Sequence, residues 1–155
     1  MLLFGIAFVF LQENKGCAKN KLISLFKNAW TSLFLFYISW VMMGAVFGRQ
    51  QIYPYEKVFE GFWFVSNNKL NRDAIKNVLV FIPVTFLNLN AFPTSKPFKR
   101  ALKVSVLLTC IIEGSQLLFW LGNFQISDII HNILGGVIGY LVWRAYTKLR
   151  IKLYR

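Results

Sequence analysis

Acidic side chains are scarce in this chain: six Asp and Glu stand against 18 Lys and Arg, a formal net charge of +12. In a soluble protein that imbalance points to nucleic acid. No basic-aromatic RNA-binding motif and no zinc-finger spacing occurs, however, so nucleic acid is not an expected partner. Cysteine is nearly absent. Cys17 lies in a Lys-rich stretch and Cys110 in an apolar run, which argues against a disulfide framework. The single histidine, His131, has no second His or Cys near it, which argues against a transition-metal site. A Gly-rich phosphate loop, a Ser-His-Asp arrangement and an HExxH helix are all missing, and no cofactor is expected. The opening run MLLFGIAFVF has no basic stretch before it and no small-x-small site after it, so a cleaved signal peptide is not expected. Lys15, just ahead of Cys17, also makes a poor lipoprotein signal.

Apolar residues, by contrast, are abundant. They make up 56% of the 155 residues, and Phe alone occurs 16 times. Globular chains average about 45–50% even with Gly counted. A soluble enzyme of this size has no interior large enough for that surface, and a disordered chain needs low hydrophobicity. What fits is a small, single-domain integral membrane protein.

A bilayer core of about 30 Å needs roughly 20 apolar residues per helix. Four segments meet the need: Asn28–Gly48, Asn77–Ser95, Val104–Phe124, and Ile129–Trp143 with help from its flanks. The fold class expected is therefore all-α, a polytopic membrane helix bundle of about four transmembrane helices. Residues 1–27 form a short apolar run and a basic stretch, 28–147 the transmembrane domain, and 148–155 a basic tail. Lys and Arg mark cytoplasmic loops. They gather before the first span, at Lys96, Lys99, Arg100 and Lys103, and in the tail. Both termini are thus expected in the cytoplasm and Gln50–Lys76 outside. That outer segment holds Tyr53, Tyr55, Phe59, Phe62, Trp63 and Phe64, an aromatic density suited to an interfacial helix. Asn71 is placed to cap a helix continuing into the second span.

Glu113 needs an explanation. A carboxylate at a span centre costs about 2.5–3.5 kcal/mol on the insertion scale, and ten strong apolar neighbours return about 3–6 kcal/mol. The third span is marginal unless Glu113 faces the bundle interior. Gln116, three residues on, shares its face. In the fourth span Asp128, Asn132, Gly135 and Gly139 form one stripe, and the two glycines make a GxxxG pair that permits close helix approach. This stripe is expected to pack on the third span. Arg49 closes the first span and Asn77 opens the second. Arg49, Asn77, Glu113, Gln116, Asp128 and Asn132 are therefore the candidate cluster, in the outer half of the bundle. Intramembrane polar residues are functional candidates by default, although hydrogen bonds between spans also serve as structural glue.

At these residues the chain resembles the VanZ-like family of small bacterial membrane proteins, from about Tyr37 to Tyr140. The likeness is carried by the first span ending in Arg49, IYPY at Ile52–Tyr55, NVLVFIP at Asn77–Pro83, IIEGSQ at Ile111–Gln116, and SDIIHNILGGVIGY at Ser127–Tyr140. Thr85 stands where the family has Gly, and Asn123 and Gln125 where it often has Arg and Asp. The resemblance implies residence in the bacterial cytoplasmic membrane. It also implies low-level teicoplanin resistance, with a lipoglycopeptide or a lipid-linked cell-wall precursor as ligand and the lipid bilayer as surroundings. Two other readings stand beside it. One is an intramembrane enzyme using Glu113 and Asp128 as acid and base on a lipid-linked substrate; no catalytic residue is assigned and this reading ranks below binding. The other is a structural or partner-binding subunit of a membrane complex.

Overall fold

The computed structural model describes residues 18–48, 65–66, 69–119 and 126–153. Four helices carry the fold: α1 (Ala18–Met42), α2 (Arg72–Ala91), α3 (Pro97–Phe119) and α4 (Ile126–Leu153). A π-helical turn, Met43–Phe47, extends α1. Two short antiparallel strands, β1 (Val65–Ser66) and β2 (Lys69–Leu70), pair Val65 with Leu70 and precede α2. All four helices are long and apolar enough to cross a membrane.

Burial shows that lipid is the solvent. Leu118 is 75% exposed, and Trp40, Phe36 and Phe119 are each 61% exposed. Glu113, Gln116, Asn132, Ser105 and Thr109, by contrast, are buried. An apolar exterior around a polar interior is stable only where water is absent from the outside. Hydroxyls placed away from the interior bond within their own helix. Ser39 Oγ donates to the Leu35 carbonyl (2.8 Å) and Ser115 Oγ to that of Ile111 (2.6 Å). That is the i−4 bonding expected where no water competes.

The helix boundaries follow local chemistry. Asn71 caps α2 as expected, its Oδ1 accepting from the backbone N–H groups of Asp73 and Ala74 (3.2 Å each). Helix α2 therefore starts at Arg72, before Asn77, and ends at Ala91, before Pro93. Pro97 takes the first position of α3, where its missing N–H costs nothing. Helix α3 thus begins ahead of Val104, and Glu113 lies in the half nearer Phe119 rather than at the middle. Helix α4 runs to Leu153, through most of the residues set apart above as a tail. Of the aromatic segment 50–64 nothing is described; the residues after it that are described form the two strands, not a helix.

At one end of the bundle lie the α2–α3 turn and the end of α4, with Lys96, Lys99, Arg100, Lys103, Lys148 and Arg150. Edge-to-face aromatics tie this end together: Trp30 on Phe86 (5.9 Å between centroids), Phe86 on Tyr146 (5.4 Å) and Phe34 on Phe92 (5.8 Å). Arg100 Nε donates to Asn88 Oδ1 (3.0 Å), and its guanidinium lies 5.2 Å from the Phe92 ring centroid. The opposite end holds the first turns of α2 and α4, with Asp73 and Asp128.

The closest packing is between α2 and α4, which corrects the expectation that the whole stripe faces α3: its two glycines face α2, while its Asn132 does meet α3. A Cβ on Gly135 would run into the Val78 carbonyl oxygen, and one on Gly139 into that of Ile82. These carbonyls are four residues apart on α2, as the glycines are on α4, so the two ridges match. Helix α3 meets α4 at Gly136 and Asn132. Ser105 Oγ stands where a side chain on Gly136 would go, and Asn132 Nδ2 donates to Thr109 Oγ1 (2.8 Å). A GxxxG pair announces a close approach without naming the partner helix.

Candidate functional site

Three polar stripes converge at the end of the bundle opposite the basic turn. Helix α3 contributes Ser105, Thr109, Glu113 and Gln116, all buried. These positions recur every three or four residues, so they form a single helix face. Helix α4 contributes Ser127, Asp128, His131 and Asn132, also buried. Helix α2 contributes Asn77 and, deeper, Thr85. The Thr85 hydroxyl lies 3.3 Å from Ser105 Oγ. The space for it comes from Gly136 and Gly139, whose absent side chains would meet Thr85. Thr85 is thus accommodated by α4 and adds an interhelical hydrogen bond.

Helix α1 joins the cluster through its backbone. Gln116 Nε2 donates to the Ala45 carbonyl oxygen (3.1 Å), inside the π-helical turn. Ala45 lies where α1 runs out, and terminal carbonyls have no partner within their own helix. Tyr37 makes a further tie from α1, its hydroxyl donating to the Val80 carbonyl oxygen (3.1 Å). Val80 lies beside Leu79, the residue whose carbonyl Pro83 cannot serve.

Between α1 and the other helices lies a cavity of about 300 Å³. Helix α1 with its π-turn lines it with Trp40, Val41, Gly44 and Ala45, and α2 with Lys76, Asn77, Val80 and Phe81. Helix α3 adds Ile112 and Glu113, and α4 adds Asn132. The deep corner is polar, since Glu113 is 2% and Asn132 3% exposed. Two buried polar atoms of the lining have no hydrogen-bond partner: Asn77 Nδ2, a donor, and Asn132 Oδ1, an acceptor. Lys76 stands at the rim, its Nζ 3.2 Å from Asp73 Oδ1 in an exposed pair. Gly44 leaves the α1 side open, for a Cβ there would meet nothing within 4 Å.

Of the six residues marked by the sequence, Asn77, Glu113 and Asn132 line this cavity. Gln116 is buried on the same face of α3 and ties down α1. Asp128 is buried in the first turn of α4, where the helix dipole favours negative charge. Arg49 lies outside the described residues, as do Asn123 and Gln125. Sequence reasoning passed over Ser105 and Thr109, although they continue the Glu113 stripe at four-residue spacing. It set His131 off the stripe, yet that side chain is buried too. Ala45 leaves no trace in the sequence because its backbone does the work. Among the described residues no group of three or more His, Cys, Asp or Glu is placed to hold a metal ion.

The VanZ/LLP1 family model matches residues 1–147. The match thus includes the N-terminal run and basic stretch that the motifs alone leave out. No curated protein and no solved structure matches the chain. With the family model covering nearly the whole sequence and four membrane-length helices behind it, this multi-pass membrane protein belongs to the VanZ/LLP1 family.

Proposed function

We propose that this protein is a ligand-binding component of the bacterial cell envelope. It sits in the cytoplasmic membrane with both termini inside, and its cavity engages a lipoglycopeptide or a lipid-linked cell-wall precursor at the outer surface. Low-level teicoplanin resistance is the outcome of that engagement. The observation that carries the reading is the cavity of about 300 Å³, to which every helix contributes and in which buried polar atoms await partners. It lies at the end opposite the α2–α3 turn and the end of α4, where Lys96, Lys99, Arg100, Lys103, Lys148 and Arg150 gather, and such basic clusters favour the cytoplasmic side. Intramembrane polar groups that face a cavity are ligand sites by default.

Binding is favoured over acid–base catalysis by one particular. Of the two carboxylates that an enzyme would use, Glu113 lines the cavity and Asp128 is not among its lining residues. The test is drug susceptibility. Wild type and Glu113→Ala are expressed at equal membrane levels in a susceptible Gram-positive host, and teicoplanin is compared with vancomycin. The expected result is selective teicoplanin resistance that the variant loses. Equal susceptibility of both strains to both drugs would refute the proposal and favour a partner-binding subunit. Turnover of a lipid-linked precursor by purified protein, lost in Asp128→Asn, would favour the enzyme instead.

A further inference from the structure

Two asparagines line the cavity, one from α2 and one from α4. Asn132 donates its Nδ2 to Thr109 Oγ1 (2.8 Å), and its buried Oδ1 has no donor among the described residues. Asn77 likewise holds a buried Nδ2 with no acceptor among them. The wall thus offers one hydrogen-bond acceptor and one donor, on two helices that pack tightly together. A buried polar atom left without a partner costs about 1–3 kcal/mol, so a ligand that meets both atoms is favoured. Much of the remaining lining is apolar, with Val41, Val80, Phe81 and Ile112.

We propose, on the reading of the cluster as a ligand site, that the cavity recognises an acetamido group. Its N–H donates to Asn132 Oδ1, its carbonyl oxygen accepts from Asn77 Nδ2, and its methyl packs among Val80, Phe81 and Ile112. An ammonium has no acceptor to offer Asn77, and a carboxylate has no donor to offer Asn132. Burying a net charge also costs far more than burying a hydrogen-bonded neutral group. Among neutral groups, a hydroxyl carries both functions on one atom and resembles the water it would displace, so it gains little. A secondary amide carries donor and acceptor on separate atoms, which suits partners on two helices. It also matches an asparagine amide in either orientation, because each side has an N–H and a carbonyl. The volume, about 300 Å³, is at the small end of ligand pockets. It takes the acetamido group together with the one sugar ring or amino acid that bears it. Trp40, also in the lining, adds a flat apolar surface for that ring.

The experiment uses the full chain, purified in a zwitterionic detergent that carries neither sugar nor amide. Methyl N-acetylglucosaminide is titrated beside methyl glucoside and methyl glucosaminide, which put a hydroxyl or an amine where the acetamido group stands. N-acetylalanine methylamide is titrated as the peptide counterpart. Intrinsic tryptophan fluorescence gives Kd, and far-UV circular dichroism confirms that each variant is folded. The expected result is binding of an acetamido probe about tenfold or more tighter than of the hydroxyl and amine sugars. The preference is expected to vanish in Asn77→Leu and in Gly44→Leu. Gly44→Leu grows into open space, so it blocks the cavity without crowding the packed core. Binding of the acetamido sugar alone supports a sugar source, binding of the alanine amide alone a peptide source, and binding of both supports recognition of the group itself. Equal Kd for all four probes, no binding of either acetamido probe, or a preference kept by both variants overturns the inference. Resistance lost in Glu113→Ala without acetamido preference overturns this inference and leaves the proposed function standing. Acetamido preference without a resistance phenotype does the reverse.

Discussion

Adding one methyl group at two glycines of this bundle has opposite consequences. Gly135 is buried in α4, where a Cβ would meet the Val78 carbonyl oxygen and come within 2.9 Å of Phe81 Cβ. A carbonyl in a helix backbone cannot rotate away, so Gly135→Ala must push α2 and α4 apart. Gly114 lies within α3, and a Cβ there meets nothing within 4 Å. Both substitutions gain the same intrinsic helix propensity of alanine over glycine, about 1 kcal/mol in soluble hosts. That term cancels in the difference between the variants and leaves the packing cost alone. Overpacking of this kind costs about 1–3 kcal/mol. Gly135→Ala is therefore expected to unfold about 5- to 150-fold more readily than Gly114→Ala. Reversible SDS unfolding in mixed micelles, followed by circular dichroism, measures the difference. Coincident curves for the two variants would refute the claim that Gly135 seats α4 against the α2 backbone.

Two further substitutions probe single contacts. Asn71→Ala removes the side chain that caps α2 and is expected to destabilise the protein by about 1 kcal/mol, read by the same unfolding assay. Thr85→Val keeps the shape but removes the hydroxyl that faces Ser105 at 3.3 Å. A loss of about 0.6–2 kcal/mol is expected, and a further Ser105→Ala change should cost little once Thr85 is valine, as a double-mutant cycle would show.

The membrane character, the number of helices and the Asn71 cap were legible in the sequence, because each follows from composition or from local chemistry. The burial of Glu113 and Gln116 was legible for the same reason: a carboxylate among apolar residues has to turn inward. Partner choice was less accessible. The pair Gly135 and Gly139 declares a flat surface, but the matching surface on α2 is made of the backbone carbonyls of Val78 and Ile82, which any sequence possesses. Ala45 escaped notice likewise, since Gln116 takes hold of its carbonyl. Helix ends also shifted outward from the uncharged cores. Arg72, Lys76, Lys99 and Lys103 sit on helices whose apolar stretches alone appeared in the reading, because charged residues at span ends reach water while remaining helical.

The contrast between α1 and the other helices bears on how a ligand gains entry. Helices α2, α3 and α4 interlock through glycines and paired hydroxyls, with little room for adjustment. Helix α1 has 11% of its spanning window buried, against 44% for α2. Between lipid-embedded helices there is no hydrophobic drive to associate, so α1 depends on specific contacts. At the cavity end these include the Gln116 bond to Ala45 and, deeper, the Tyr37 bond to Val80. Hydrogen bonds between spans average about 0.6 kcal/mol and reach about 1.7. Among the described residues these two bonds join the edge-to-face contacts of Trp30 and Phe34 in holding α1 in place. The cavity lies on that seam, bounded on one side by the helix with the smallest buried share among the four and on the other by Glu113 and Asn132 on the tightly packed core. A π-turn placed where this wall meets the core fits that division, since such turns recur where a helix must adapt to a function.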